Sequence, residues 1–276
     1  MARLRYVRDM SKKNSTEQPS DQFPANVRGL RAIYETEPEI HAALLPKPLQ
    51  PGSSPEIFVQ FSKVELFLSE SRTVEIGAAT VGVSCRYEGT EGFYVLAMPM
   101  ENDFIVIGGR EVYGEPKKIA QTEFKVGDDR RVAAKVNRHG VDFIEVRGRI
   151  GESMGPKTFT EHMFCIKALP SVARDDSFDG EVFLTQLDWR RNFTDVQVVH
   201  DPEIILRESK FDPIVDVPVK RIVSMVFTNG GTVNSGKILR SIPGEWIAPF
   251  INQRYDDPVD VPLEIALASE RVAAHA

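Results

Sequence analysis

Runs of β-branched and aromatic residues, each bounded by Gly, Asn, Asp or Pro, dominate the first half of the chain. Such residues fit the half-buried surface of a pleated sheet, so the pattern predicts strands. The predicted strands cover residues 57–68, 78–87, 92–100 and 103–108. We therefore expect the middle of the protein to be sheet.

The second half continues the same pattern. Asn137-Arg138-His139-Gly140 lies between two alternating runs and supplies the Asn and Gly that a tight reversal needs, so residues 130–150 are predicted to form a hairpin. Further strands are predicted over residues 158–168, 181–188 and 194–207. Residues 217–227 mix the two-residue hydrophobic period of a strand with the 3.6-residue period of a helix. A short apolar run of this kind is compatible with either element.

One short helix is predicted near the start. Thr36 is the expected N-cap, because Pro38 and Glu39 follow at the positions they favour in a first helical turn. Pro46 and Pro48 should end the helix, since proline lacks the amide hydrogen that a helix interior requires.

The domain organisation is predicted to be simple. Nothing resembling a repeat, a low-complexity tract or a linker divides residues 24–255, so we expect one α+β domain dominated by antiparallel strands. Residues 1–23 are polar and are predicted to be a disordered arm, and residues 256–276 a polar tail.

Composition narrows the class of function. The 276 residues are 42% hydrophobic and carry a formal net charge of −6, with no basic cluster that also contains aromatics, which argues against a nucleic-acid surface. No stretch approaches the length of a membrane span or the apolar centre of a signal peptide. Two isolated cysteines, Cys85 and Cys165, and scattered histidines suggest neither a disulfide framework nor a metal site. We expect a cytoplasmic protein that binds a small molecule.

Residues 109–118, GREVYGEPKK, place two consecutive lysines directly after a proline. Most such pairs lie on a solvated loop and have no further role. An apolar run precedes this pair, however, which makes Lys117 and Lys118 candidates for chemistry.

The motif resembles the signature of the acetoacetate decarboxylase family, which has Gly-Arg-Glu followed by Gly-aromatic-Pro-Lys-Lys. Three further segments resemble the family in the same order, at residues 27–51, 85–111 and 211–224. The resemblance implies a mostly antiparallel β barrel or sandwich with a few short helices. It also implies a homo-oligomer and chemistry that needs no metal or organic cofactor, because a lysine iminium supplies the electron sink.

The resemblance assigns roles to both lysines. Lys117 corresponds to the Schiff-base nucleophile and Lys118 to the neighbour credited with lowering its pKa. Acetoacetate decarboxylase is itself the standard example of a lysine activated in this way. Adjacent side chains on an extended chain point to opposite faces, so we expect the two ammonium groups to diverge and burial to be the larger influence. The predicted apolar wall consists of Phe93, Met98, Met100 and Phe104.

Two positions next to this machinery depart from the family pattern. Glu115 stands where an aromatic residue is usual. A carboxylate within reach would favour the ammonium form of Lys117 and raise the pKa of that lysine. We expect Glu115 to point away from Lys117 instead, and a proton-shuttling role is a further alternative. Ala78 aligns with the acid/base glutamate of the decarboxylases, which leaves Glu75, three residues away, as the candidate catalytic acid/base, and Glu70 as a weaker one.

The arginines complete the predicted site. Arg28 and Arg31 flank the position that holds the substrate carboxylate in the family, and a solvated surface role is an alternative for either. Arg110 and Glu111 are expected to form a partly buried ion pair that positions the lysine loop.

Three functions follow from these features. The first is a lyase that decarboxylates a small keto acid through an iminium on Lys117. The second is an aldolase, dehydratase or hydratase that uses the same lysine. The third, from another class, is a non-catalytic barrel that binds a small ligand.

Overall fold

The structure is a computed structural model that describes residues 4–7, 9–11, 23–69 and 72–268. Most of the predicted N-terminal arm and the last eight residues of the predicted tail lie outside these ranges. So does Glu70.

The described residues form twelve strands, two α-helices and three short 3-10 helices. The strands are β1 (Phe23–Glu35), β2 (Gln50–Pro51), β3 (Glu56–Ser69), β4 (Arg72–Tyr87), β5 (Thr90–Met100), β6 (Lys117–Ile119), β7 (Gln121–Val126), β8 (Arg131–Arg138), β9 (Val141–Ser153), β10 (Lys157–Lys167), β11 (Val182–Leu206) and β12 (Arg221–Ile242). The α-helices are α1 (Pro38–Ala43) and α2 (Asp103–Tyr113), and the 3-10 helices are Ile214–Asp216, Gly244–Trp246 and Ala248–Arg254.

Seven of the strands close into a ring. The order β10-β5-β4-β3-β1-β12-β11 returns to its start because β10 also pairs with β11. All ladders of the ring are antiparallel except the short parallel contact between β10 and β5. The sheet continues from β11 through β9 and β8 to β7. The predicted fold class, mostly antiparallel β with a few short helices, is confirmed.

Strand alternation gives the ring an outer and an inner face. Leu30, Ala32 and Tyr34 of β1 belong to the larger apolar core, together with buried residues of β8 and β9 such as Val136 and Ile144. This core therefore lies between the outside of the ring and the extension β7–β9. A smaller apolar cluster faces the interior of the ring and consists of Phe58, Val95, Met98, Met163, Cys165, Leu187 and Trp189.

The predicted hairpin is confirmed. Strands β8 and β9 pair antiparallel over residues 131–149, and the reversal uses positive φ at His139 (50°) and Gly140 (83°). The strands predicted at residues 181–188 and 194–207 are too fragmented, because both predictions fall on one strand, β11 (Val182–Leu206), which has a register shift between Phe193 and Asp195. In the ambiguous segment 217–227, β12 begins at Arg221.

The strand predicted at residues 103–108 is wrong, because these residues open helix α2. The side chain of Asn102 caps the helix by accepting a hydrogen bond from the Ile105 amide at 3.2 Å. Gly114 ends it in the left-handed conformation, with φ of 80°. The β-branched run that suggested a strand forms part of a helix instead. Val106 and Gly109, three positions apart, lie on the buried face of this helix.

Helix α1 is confirmed, but its N-cap is Glu37, one residue later than predicted. Thr36 continues the extended chain, and its amide donates to the carbonyl of Pro55 at 3.1 Å. At the other boundary, Asp256, the first residue of the predicted tail, contacts Arg138 through a salt bridge of 2.8 Å. Ordered contacts thus extend at least one residue beyond the predicted domain.

Candidate active site

Lys117 begins strand β6, which pairs in parallel with the end of β5, opposite Met98. Its side chain enters the interior of the ring, where the residue is only 6% exposed. The Nζ atom lies 2.7 Å from Oε2 of Glu115, which is 4% exposed. Lys117 and Glu115 thus form a salt bridge inside the protein.

Glu115 was expected to point away from Lys117, and this prediction is wrong. The alternation rule separates neighbours, but residues two positions apart share a face, and only Pro116 stands between these two. A hydrogen bond of 2.8 Å from the Lys117 amide to the Glu115 carbonyl tightens this segment further. The geometry therefore leaves two roles for Glu115: it favours the ammonium form of Lys117, or it shuttles protons.

Helix α2 covers the pair. Gly109 lies so close that a Cβ atom there would overlap both the Glu115 carboxylate and the Lys117 Nζ atom. The amide of Glu115 donates to the Gly109 carbonyl at 3.2 Å. A glycine at this helical position lets the backbone approach the two charged groups.

Arg110 positions the loop in a different way from the one predicted. Its guanidinium donates to the backbone carbonyl of Lys117 at 3.0 Å and to that of Arg254 at 2.9 Å. Glu111 is exposed and makes no ion pair with Arg110 in the described part of the chain, so the predicted pair is wrong. Consecutive residues of a helix do not face each other.

Lys118 points to the opposite side, as expected. It donates to the carbonyl of Phe211 at 2.9 Å and lies 3.3 Å from Asp256 and 3.6 Å from Asp212. The divergence of the two ammonium groups is confirmed. Lys118 therefore anchors the strand from outside the site.

Arg138 organises the cluster around Lys118. Its guanidinium bonds both Asp212 and Asp256, with closest distances of 2.7 and 2.8 Å. Partial burial by itself raises the pKa of Asp256, but the hydrogen bonds from Arg138 and His139 outweigh it and lower the pKa to about 2. This ionic cluster connects β6 to the turn of the β8–β9 hairpin.

The two candidate arginines of β1 have different environments. Arg28 is exposed, whereas Arg31 faces the interior and its guanidinium stacks 4.2 Å from the centroid of the Phe58 ring. Arg31 also pairs with Glu161, which in turn accepts from Nε of Arg191 at 3.0 Å. Strand alternation thus brings only Arg31 into the interior.

Glu161 lies between two cations. Burial alone raises the pKa of Glu161, but Arg31 and Arg191 outweigh it and hold that pKa below its usual value. The side chains are 13%, 10% and 4% exposed for Arg31, Glu161 and Arg191, so this is a buried triad. It carries two positive charges and one negative charge.

The predicted acid/base residue is not brought to Lys117. Glu75 is exposed and pairs across the ladder with Glu65 of β3. Ala78 is buried opposite Met100. The carboxylate beside the lysine is Glu115 instead.

The predicted apolar wall is mostly present. Met98 is 1% exposed in the interior cluster, and Phe93 and Met100 pack against it. Phe104 is 56% exposed on α2, so its predicted role is wrong. Cys165 adds a buried thiol whose pKa is raised by burial first and by the nearby Glu115 second.

Glu161 and Arg191 escaped the sequence prediction. A signal existed, because Glu161 shares the period-2 face of β10 with Met163 and Cys165, and a charge in an apolar row needs a buried partner. Arg191 likewise shares a period-2 face of β11 with the apolar residues Leu187 and Trp189.

The described residues contain no group of three or more histidine, cysteine or acidic side chains that could hold a metal ion. No helix among them has the length and apolar character to cross a membrane.

The profile of one known family, acetoacetate decarboxylase (ADC), matches residues 8–242. The chain belongs to the acetoacetate decarboxylase family. This membership confirms the family resemblance of the chain and indicates an enzyme of the lyase type.

Named relatives are distant. Acetoacetate decarboxylase 1 of Bradyrhizobium diazoefficiens is 31% identical over 96 residues, which cover 35% of this chain and 37% of that protein. Acetoacetate decarboxylase of Burkholderia vietnamiensis is 26% identical over 204 residues, which cover 69% of this chain and 76% of that protein. The match thus spans little more than a third of the first relative and about three quarters of the second.

Solved structures share the fold. Acetoacetate decarboxylase of Legionella pneumophila has a TM-score of 0.68 at 19% identity, covering 83% of this chain and 98% of that chain. The enduracididine biosynthesis enzyme MppR, complexed with the condensation product of pyruvate and imidazole 4-carboxaldehyde, has a TM-score of 0.67 at 16% identity and covers 81% and 90%. At these identities the likeness concerns the fold alone.

The glycine pair of α2 provides a matched test of the buried contact. Gly109→Ala should lower the free energy of unfolding by about 1–3 kcal/mol, because the new methyl group overlaps the Glu115–Lys117 pair. Gly108→Ala meets nothing within 4 Å and should leave stability unchanged or raise it by up to about 1 kcal/mol. Denaturant titration of both variants checks this. Equal stabilities would contradict the described packing.

The ionic cluster around Arg138 predicts a specific dependence on pH. A carboxylate whose pKa is lowered in the folded state stabilises the protein above its unfolded pKa of about 3.9, and that contribution is lost as the pH falls to the folded value. Asp256→Asn should therefore be less stable than the wild type at neutral pH, with the difference vanishing between about pH 4 and about pH 2. Equilibrium unfolding at several pH values measures it, and exposed Asp257→Asn is the control. A difference that stays constant down to the lowest pH would contradict the assignment.

Proposed function

We propose that the protein is a Schiff-base-forming lyase that acts on a small keto acid through an iminium on Lys117. The observation that carries the proposal is the buried contact of 2.7 Å between Lys117 Nζ and Glu115 Oε2. A nucleophile within hydrogen-bond reach of a base is the arrangement that covalent catalysis requires.

The amine must be neutral to attack a carbonyl carbon. Transfer of the ammonium proton to Glu115 produces a neutral amine and a neutral acid, and the apolar surroundings of Met98 and Cys165 disfavour separated charges. Attack then forms the N–C bond, the π electrons of the carbonyl move to its oxygen, and a proton passes from the nitrogen to that oxygen to give a carbinolamine. Glu115 then donates its proton to the carbinolamine hydroxyl group, water leaves, and the iminium forms.

The iminium accepts the electron pair of a neighbouring bond and becomes an enamine. In decarboxylation that bond joins the α-carbon to the carboxylate carbon, and carbon dioxide leaves. A proton then returns to the α-carbon, the iminium is hydrolysed, and the free lysine is restored. Glu115 lies 2.7 Å from Nζ and is placed to carry these protons.

Condensation or dehydration through the same lysine is the second candidate. The position of Glu115 favours it, because a base next to the iminium can remove an α-proton as readily as it can return one. The solved MppR complex contains a condensation product on the same fold, which is consistent with this alternative. We further propose that the enzyme is a cytoplasmic homo-oligomer.

Borohydride trapping tests the proposal. Incubation with a panel of ketones and keto acids, followed by reduction, should add the mass of the reduced substrate to Lys117. The adduct should be absent in Lys117→Ala and retained in Lys118→Ala, because Lys118 faces Asp212 and Asp256. Peptide mapping locates the modification.

The outcome separates the three functions. A failure of every ketone, keto acid and aldehyde to modify the wild-type protein would favour the non-catalytic barrel. Release of carbon dioxide from a trapped substrate supports decarboxylation, and condensed or dehydrated products support the second candidate.

A further inference from the structure

The buried triad leaves hydrogen-bond donors without partners. Nε of Arg31, Nη2 of Arg191 and Nε1 of Trp189 are buried and find no acceptor among the described residues. Arg191 is 3% exposed and Trp189 is 6% exposed. Buried donors are paired in the great majority of native structures, so three in one place indicate a missing acceptor.

These donors belong to one assembly. Glu161 contacts both arginines, and Trp189 lies directly opposite Glu161 on the neighbouring strand β11. The Arg191 guanidinium stacks 4.5 Å from the centroid of the Trp189 ring. The hydrogen bond from Arg191 Nη1 to the Thr232 hydroxyl is long at 3.4 Å.

The charge of the interior is also unbalanced. Arg31 and Arg191 face a single carboxylate, Glu161, while Lys117 is matched by Glu115. One positive charge therefore remains without a counterion among these groups. An unpaired buried charge is costly, and a monoanionic group would remove the cost while accepting the free hydrogen bonds.

The triad and the reactive lysine lie at different heights, or levels, along the strands of the ring. Cys165 lies within electrostatic influence of Glu115 and Lys117, whereas Glu161 lies four residues earlier on the same strand. Four residues of strand span about 13 Å. Met163 and its partner Leu187, both buried, occupy the level between them.

We propose that Arg31, Arg191 and Trp189 bind a carboxylate that the substrate keeps throughout the reaction. This rests on the proposed iminium chemistry at Lys117 and specifies its substrate class: an oxo acid whose retained carboxylate is separated from the carbonyl by several apolar carbon atoms. Glu161 is a positioning residue that orients the two guanidinium groups.

The retained carboxylate differs from one that leaves as carbon dioxide. Decarboxylation moves negative charge from the carboxylate toward the iminium, so two guanidinium groups on that carboxylate would stabilise the ground state more than the transition state. If the enzyme decarboxylates, its substrate therefore carries two carboxylates. If it condenses or dehydrates, one is sufficient.

The test uses unbranched methyl-ketone carboxylates with one to five methylene groups between carbonyl and carboxylate, and neutral ketones of equal length. The half-saturating concentration for borohydride trapping on Lys117 should fall as the chain lengthens. Arg191→Met should raise it at least about tenfold for the longer acids and leave the neutral ketones unchanged, as expected for loss of a hydrogen bond to a charge.

Two further variants separate binding from folding. Trp189→Phe keeps an aromatic ring but removes the indole N–H donor, and should raise the half-saturating concentration of the longer acids severalfold. Arg190→Met is the matched control, because Arg190 is exposed on the same strand and should change nothing. Equal effects of Arg191→Met on acids and neutral ketones, or tightest trapping of the shortest acid, would overturn the proposal.

Failure of the iminium chemistry has a separate signature. If no carbonyl compound, charged or neutral, modifies Lys117, the binding of a saturated straight-chain carboxylate can still be measured by calorimetry. Binding that Arg191→Met abolishes and Arg190→Met preserves supports the anion site on its own. The absence of binding to the wild-type protein overturns it.

Discussion

The contact between Lys117 and Glu115 is the interaction on which the site depends. Two groups that favour water lie almost fully buried at 2.7 Å, an arrangement that persists only if each is the partner of the other. Helix α2 approaches them through Gly109, and Arg110 fixes the backbone of Lys117 by donating to its carbonyl. The helix that looked like a strand in the sequence is thus the element that encloses the reactive pair.

The closed ring of seven strands explains why the interior can be so different from the rest of the core. Its outer face packs against the β7–β9 extension in an apolar layer, so the larger part of the apolar core lies outside the ring. The inner face can then hold a lysine pair at one level and an arginine triad at another, with Met163 and Leu187 between them. This arrangement suits a molecule with a carbonyl, an apolar middle and an anionic group.

The sequence was most informative where a local rule had no competitor. The hairpin at His139-Gly140 needs positive φ, and the divergence of Lys117 and Lys118 follows from strand alternation, so both were predictable. The helix at 103–113 was missed because its β-branched run fits the hydrophobic period of a strand as well as that of a helix. The Asn102 and Gly114 caps are the signals that identify a helix.

Side-chain partners across the ring were harder to predict. Glu115 was misjudged because alternation was applied to neighbours, although it stands two positions from Lys117. Glu161 and Arg191 become partners only when β10 and β11 pair, and Arg31 of β1 meets Glu161 of β10 only through the closure of the ring. Contacts between residues 130 positions apart depend on topology that local patterns do not contain.

The rate of iminium formation in Glu115→Gln tests most directly whether Glu115 carries protons for the reaction at Lys117. A β-diketone whose enamine absorbs in the near ultraviolet allows the rate to be followed across pH in the wild type and the variant. If Glu115 carries the protons, the variant should react about 10² times more slowly or worse at every pH, while the final adduct still forms on Lys117. A variant that reacts as fast as the wild type, or faster, would show that Glu115 only holds the lysine in its charged form and would contradict the mechanism.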